Sequence, residues 1–228
     1  VRCLGVALAV LSPVVASAQS KAPHPQATYV VAPPQANAPK PTDVLTGQVI
    51  YLNNCAAGCT VKPGNEDAST MTSEIASKTA NWTEFAWQPG EWEAVVQCVK
   101  EVYSPYNVVV TDQLPQSAYN MEIIAGDPND IGLNSAIGGI ALVSNDCSAR
   151  QNSIAFAFTS SIDTFAQEDN NNRVWGMCWT AAQEIAHIYG RDHEYAYLDD
   201  MSSACNDPMT YRSDCGGEKF FRNRPANC

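Results

Sequence analysis

An α/β (α+β) fold around one main sheet is predicted for this 228-residue chain by three observations. A β-branched run opens the folded part, an amphipathic helix follows, and four short apolar runs come next, separated by Pro, Gly, Asn and Asp. A second, alanine-rich helix closes the pattern and carries most of the chemistry.

The N-terminus reads as an export signal. Arg2 precedes an apolar run over 3–15, and Ala16-Ser17-Ala18 follows as a small-x-small cleavage pattern, so residues 1–18 are expected to be removed. The run is too short to span a bilayer, and the chain is expected to be secreted, extracellular or periplasmic. Residues 19–45 are rich in proline (Pro23, Pro25, Pro33, Pro34, Pro39 and Pro41) and low in large apolar side chains. Such a stretch cannot fold alone and is expected to be a disordered tether or a short pro-segment. The folded domain is expected over 46–228.

Within it, Val49, Ile50 and Leu52 mark a strand over 47–52. Residues 53–90, rich in Asn, Gly, Thr and Ser, read as a long excursion. Pro89-Gly90 then opens a helix with Trp92, Val95, Val96, Val99, Val102 and Tyr103 on one face, and Ser104-Pro105 stops it. Strands are expected over 107–111, 121–125, 137–143 and 153–158. Asp127, Asn129 and Asp130 before Gly132 could supply oxygens to a calcium ion, but an Asx-type turn is the simpler reading.

Composition narrows the function. With 13 Lys+Arg against 24 Asp+Glu, the net charge of −11 argues against nucleic acid, whose phosphates require clustered cations. Apolar residues at 45% and charged ones at 16% describe a globular chain rather than a disordered one. Of nine cysteines, Cys3 lies in the export segment; the remaining eight (Cys55, Cys59, Cys98, Cys147, Cys178, Cys205, Cys215 and Cys228) suit a disulfide framework of unspecified pairing.

The chemistry lies between 174 and 211. A helix is expected over 174–189, with Met177, Ala181, Ala182, Ile185 and Ile188 available for packing. Gln183 and His187 are four apart and share a helical face. Gly190 permits a sharp turn that returns His193 as a further donor. Glu184 sits a quarter-turn away, where a general base for a metal-activated water belongs. Both histidines must be neutral to ligate, so ordinary imidazoles would lose the ion as pH falls through about 6.5. Cys178 lies on the same helix, and a disulfide there would pre-set the site.

Gln183-Glu184-Ile185-Ala186-His187, followed by Gly190 and His193, resembles the metzincin zinc-peptidase motif H-E-x-x-H-x-x-G-x-x-H, with Gln183 in place of the first histidine. Met209-Thr210-Tyr211 resembles the Met-turn of astacin- and serralysin-type enzymes. The chain is also similar to secreted bacterial metzincin-like proteins that carry Gln at this position.

The resemblance implies a disulfide-stabilised catalytic domain with a mixed, twisted sheet, an upper helix and a metal-site helix. It assigns zinc to His187 and His193, with Gln183 weak or vestigial. Glu184 is implied as the base and Tyr211 as an oxyanion donor or oxygen ligand, with Gly190 and Met209 structural. Substrate, a peptide or protein, would lie along an edge strand, either 137–143 or 153–158. An amide oxygen is a poorer zinc donor than imidazole, and losing one ligand costs about 3 kcal/mol, on the order of a hundredfold in affinity. Two readings therefore stand: a secreted zinc endopeptidase, and an inactive pseudopeptidase of the same fold acting as an extracellular binding module.

Overall fold

The computed structural model describes residues 28–40, 48–133, 137–169, 172–193, 206–211 and 219–221. The export segment and Cys205, Cys215 and Cys228 lie outside the described residues. In chain order the elements are β1 (Thr28–Ala32), β2 (Gln48–Asn53), β3 (Cys59–Pro63), β4 (Thr72–Ser73), β5 (Ala80–Trp82), α1 (Glu91–Tyr103), β6 (Val108–Thr111), β7 (Asn120–Ile124), β8 (Gly139–Ser144), β9 (Ile154–Ala157), α2 (Thr159–Asp169) and α3 (Arg173–Ile188). The architecture is mixed α/β with two sheets.

The main sheet has six strands in the order β1-β8-β9-β7-β2-β6. β9, β7, β2 and β6 run parallel to one another, whereas β8 meets β9 antiparallel and β1 meets β8 parallel. Strand alternation sorts the large side chains onto opposite faces. Met121, Ile123, Ile140, Leu142, Ile154, Phe156 and Phe158 form one core with Trp82, Val61 and Ile75 of the 53–82 region. Ile50, Leu52, Val110 and Ile124 face the other way, onto Val95, Val99 and Val102 of α1 and Met177, Ala181 and Ile185 of α3. Phe156 and Phe158 are fully buried, each stabilising the fold by about 2–3 kcal/mol.

The expected strands and the two expected helices are present within a residue or two. Differences fall elsewhere. The excursion contains a small sheet, ordered β4-β3-β5, with strands of 2, 5 and 3 residues, two of them too short to show a period. Helix α2 had no sequence signal either. Part of the proline-rich segment is docked rather than a free tether, because Thr28–Ala32 forms the outermost strand of the main sheet. That placement also corrects the expected substrate edge: β8 lies between β1 and β9, and β9 lies between β8 and β7, so neither is an edge strand.

Asp127 caps a short 3-10 turn (Pro128–Ile131), accepting from Asn129 N at 2.8 Å, while Ser160 Oγ donates to its other oxygen at 2.8 Å. Trp82 Nε1 donates to Asp130 Oδ2 at 2.8 Å, so these oxygens serve the turn. Cys55–Cys59 closes the chain into β3, and Cys98–Cys178 joins α1 to α3 across 80 residues. Cys147 is also disulfide-bonded. Among the described residues no helix is long and apolar enough to cross a membrane.

Candidate metal centre

Helix α3 lies close to the sheet because the positions beneath it are small. Ala141 and Ala155 pack on Ile188, and Ala157 joins the cluster around Met177 and Ala181. Asn172 caps the helix start, accepting from Val174 N at 2.9 Å. At the other end Gly190 adopts φ 80°, and its N–H donates to His187 O at 2.9 Å. A Cβ there would stand 2.2 Å from the Cys147 carbonyl oxygen, so space as well as handedness demands glycine.

That turn returns His193 onto the helix, with His187 Nε2 and His193 Nε2 3.2 Å apart. His187 Nδ1 lies 2.6 Å from the Arg191 carbonyl oxygen. A carbonyl can only accept, so Nδ1 holds the proton and Nε2 presents its lone pair. Tyr211 OH lies 3.2 Å from His193 Nε2. Around a tetrahedral zinc ion with bonds of about 2.05 Å, neighbouring donors are about 3.3 Å apart. The two donor pairs, His187–His193 and His193–Tyr211, have that spacing.

Burial sets the charge state. It lowers the His187 pKa to about 3, helped by His193, and lowers that of His193 to about 4 against the opposing pull of Asp192. Both imidazoles are therefore neutral well below the ordinary value, and proton competition for their nitrogens begins near the lowered values rather than near 6.5.

Gln183, one turn before His187, is 4% exposed, and its Nε2 is buried without a hydrogen-bond partner. Glu184 is fully buried, and neither carboxyl oxygen has a partner. Its Cγ lies under Gly139 of β8, 2.7 Å from where a Cβ on that glycine would stand. Glu122 of β7 is likewise buried without partners. Burial raises both carboxyl pKa values well above the usual range, and in Glu122 the neighbouring Glu184 adds to the rise.

Orphaned polar atoms along this face of α3 suit a site that receives a further group. As described, the residues also carry a measurable cost. An unfolded Glu122 ionises near 4.5, whereas the folded one keeps its proton to higher pH; its stability contribution is therefore full below about 4.5 and falls as pH rises. Glu122→Gln should melt with wild type at pH 4 and several degrees higher at pH 7 by differential scanning calorimetry. Equal or lower melting at pH 7 would mean that the carboxyl is partnered.

The 206–211 turn completes the site. Asp207 is fully buried; it accepts from Met209 N at 2.9 Å and from Arg191 at 3.2 Å, tying this turn to the chain leaving α3. Met209 is fully buried, two residues before Tyr211. The described structure thus brings together His187, His193 and Tyr211, with Gln183 and Glu184 on the preceding turn of α3.

Three contributors had escaped the sequence reading. Tyr29 of β1 lies over both histidines, its ring centroid 4.8 Å from that of His187 and 5.2 Å from that of His193. Its signal was the β-branched run around it, Thr28-Tyr29-Val30-Val31, which the flanking prolines obscured. Glu122 was legible as a lone carboxylate in an apolar strand, and Gly139 as a small residue opening one.

No family model, curated protein or solved structure matches this chain. Among the described residues no group of three or more His, Cys, Asp or Glu is placed to hold a metal ion.

Proposed function

We propose that this chain is a secreted, metzincin-like zinc endopeptidase. The observation that carries the reading is the convergence of His187 Nε2 and His193 Nε2 at 3.2 Å, with Tyr211 OH 3.2 Å from the second. His187 and His193 would hold zinc, with Tyr211 as an oxygen donor in reach and Gln183 a weak or vestigial one. When bound, the ion supplies a Lewis acid that polarises the scissile carbonyl and lowers the pKa of water.

The chain's own residues do the rest. Glu184 accepts a proton from the attacking water as the new C–O bond forms, then delivers it to the amine nitrogen as the C–N bond breaks. Burial raises its carboxyl pKa above the usual range, which makes the ionised form a stronger proton acceptor. Tyr211 OH donates to the oxyanion that develops on the carbonyl. The Arg191 carbonyl keeps the His187 proton on Nδ1, away from the metal-facing nitrogen. Export follows from the expected signal and fits the disulfides.

One observation favours the inactive relative as a second reading. Glu184 is packed under Gly139, fully buried and without a hydrogen-bond partner, and burial disfavours the ionised form that the base role requires. The experiment is cleavage of an unstructured peptide library by zinc-loaded protein, read by mass spectrometry. The peptidase reading expects zinc-dependent cleavage that is lost in Glu184→Ala with zinc still bound. Binding without cleavage, in the wild type and after removal of the N-terminal segment, would leave the extracellular binding module.

A further inference from the structure

The main sheet has a notch where its parallel strands begin. β2 pairs with β6 from Gln48 onward, but with β7 only from Ile50, opposite Asn120. β7 in turn meets β9 only from Met121, opposite Ile154. Just before β7 joins its two neighbours there is an open cavity of about 210 Å³, lined by Gln48, Ser117, Tyr119, Asn120, Gln151 and Asn152. It shares no residue with the metal centre.

The walls of the notch are fixed by the fold. Asn120 is buried and holds the turn before β9, donating to Arg150 O at 3.2 Å and accepting from Ser153 N at 3.0 Å. Asn152 stands at φ 52°, a left-handed conformation that asparagine tolerates, and its Nδ2 donates to Asp67 Oδ1 at 2.9 Å. The Tyr119 ring meets Tyr51 edge-on, with centroids 5.6 Å apart at 84°. Burial, with the charge of Asp67, raises the Tyr119 pKa, so its hydroxyl keeps its proton. Gln48 is half-buried and Gln151 and Ser117 are exposed; their side chains make no hydrogen bond among the described residues. Walls already in place lose little freedom when a ligand enters.

Chemistry narrows the occupant. The volume lies below the roughly 300 Å³ at which drug-sized sites begin, so it suits a single ring. Among the described residues no charged side chain lines it, so phosphates, carboxylates and ammonium groups find no opposite charge there. A wholly apolar ligand would strip water from three kinds of polar group and repay none. Amides both donate and accept, as sugar hydroxyls do, and a tyrosine ring offers a flat apolar face.

The geometry points to a binding site for a neutral, hydroxyl-rich ring, a hexose or N-acetylhexosamine, either free or at the end of a glycan. The ring's C–H face packs on Tyr119, and its hydroxyls bond the side chains of Gln48, Gln151 and Ser117. The site stands whether or not the chain cleaves peptides.

The test is saturation-transfer NMR on the full chain. The monosaccharide probes are glucose, galactose, mannose and N-acetylglucosamine; cellotetraose, mannotetraose and chitotetraose test chain ends. At least one monosaccharide should bind in the millimolar range. Gln48→Ala with Gln151→Ala, in protein that melts with wild type, should weaken it about tenfold through the loss of two neutral hydrogen bonds. Tyr119→Ala should weaken it by at least as much. Should Tyr119→Ala fail to fold, the amide variant decides alone, since it alters only one exposed and one half-buried side chain.

A tetrasaccharide held at least tenfold more tightly than its monosaccharide would assign the notch to glycan ends, and equal binding would assign it to free sugar. No binding of any probe to the folded wild type would overturn the inference. So would sugar binding that both folded variants retain unchanged.

Discussion

Gln183→His should raise zinc affinity by roughly ten- to a thousandfold. Gln183 is buried one turn before His187, and its Nε2 makes no hydrogen bond that the exchange would break. A histidine of similar size would put a third imidazole on the face that already carries His187, replacing a neutral amide donor with a nitrogen that zinc prefers. The folding cost should be small, because the swap is polar for polar and leaves no cavity. Isothermal titration with zinc at pH 7 measures the gain. Peptide cleavage should rise with it, and adding Glu184→Ala should abolish cleavage while the ion stays bound. A folded Gln183→His protein with unchanged affinity would mean that residue 183 does not face the ion.

Removing the Cys98–Cys178 bridge should have the largest effect on stability. The bridge ties α1 to α3 with a sequence separation of 80 residues, and closing a loop of that length is worth about 4.5 kcal/mol in the chain-entropy picture. Cys178 is fully buried and lies on α3 just before Gln183, so the bridge also fixes the helix that positions the site. Cys98→Ala with Cys178→Ala should therefore lower unfolding free energy in urea by several kcal/mol. It should weaken zinc binding as well, since the ion must then order part of the helix itself. A loss below about 1 kcal/mol would show that α1 and α3 are held by packing alone.

Much of this architecture was legible because its signals are periodic. The valines of α1 recur at helical spacing, and β7, β8 and β9 are apolar runs bounded by turn residues. Gly190 and the two histidines were legible because their spacing has one simple geometric reading. What escaped was set by tertiary contact. Strand β1 gains its structure from pairing with β8, and five residues between prolines look the same whether docked or free. The small sheet escaped because strands of two or three residues carry no pattern. Glu184 was expected near the ion on helical geometry alone; its enclosure beneath Gly139 and beside Glu122 depends on strands distant in sequence. The low pKa values of the histidines are likewise a property of burial, which spacing does not report.

The most direct measurement of the central claim is calorimetric titration of the metal-free wild-type chain with zinc at pH 7, beside His187→Ala and His193→Ala. The account expects a single ion per wild-type chain and none in either variant, because with Gln183 so poor a donor neither imidazole can be spared. Absence of binding to the wild type, or binding that survives both substitutions, would contradict it.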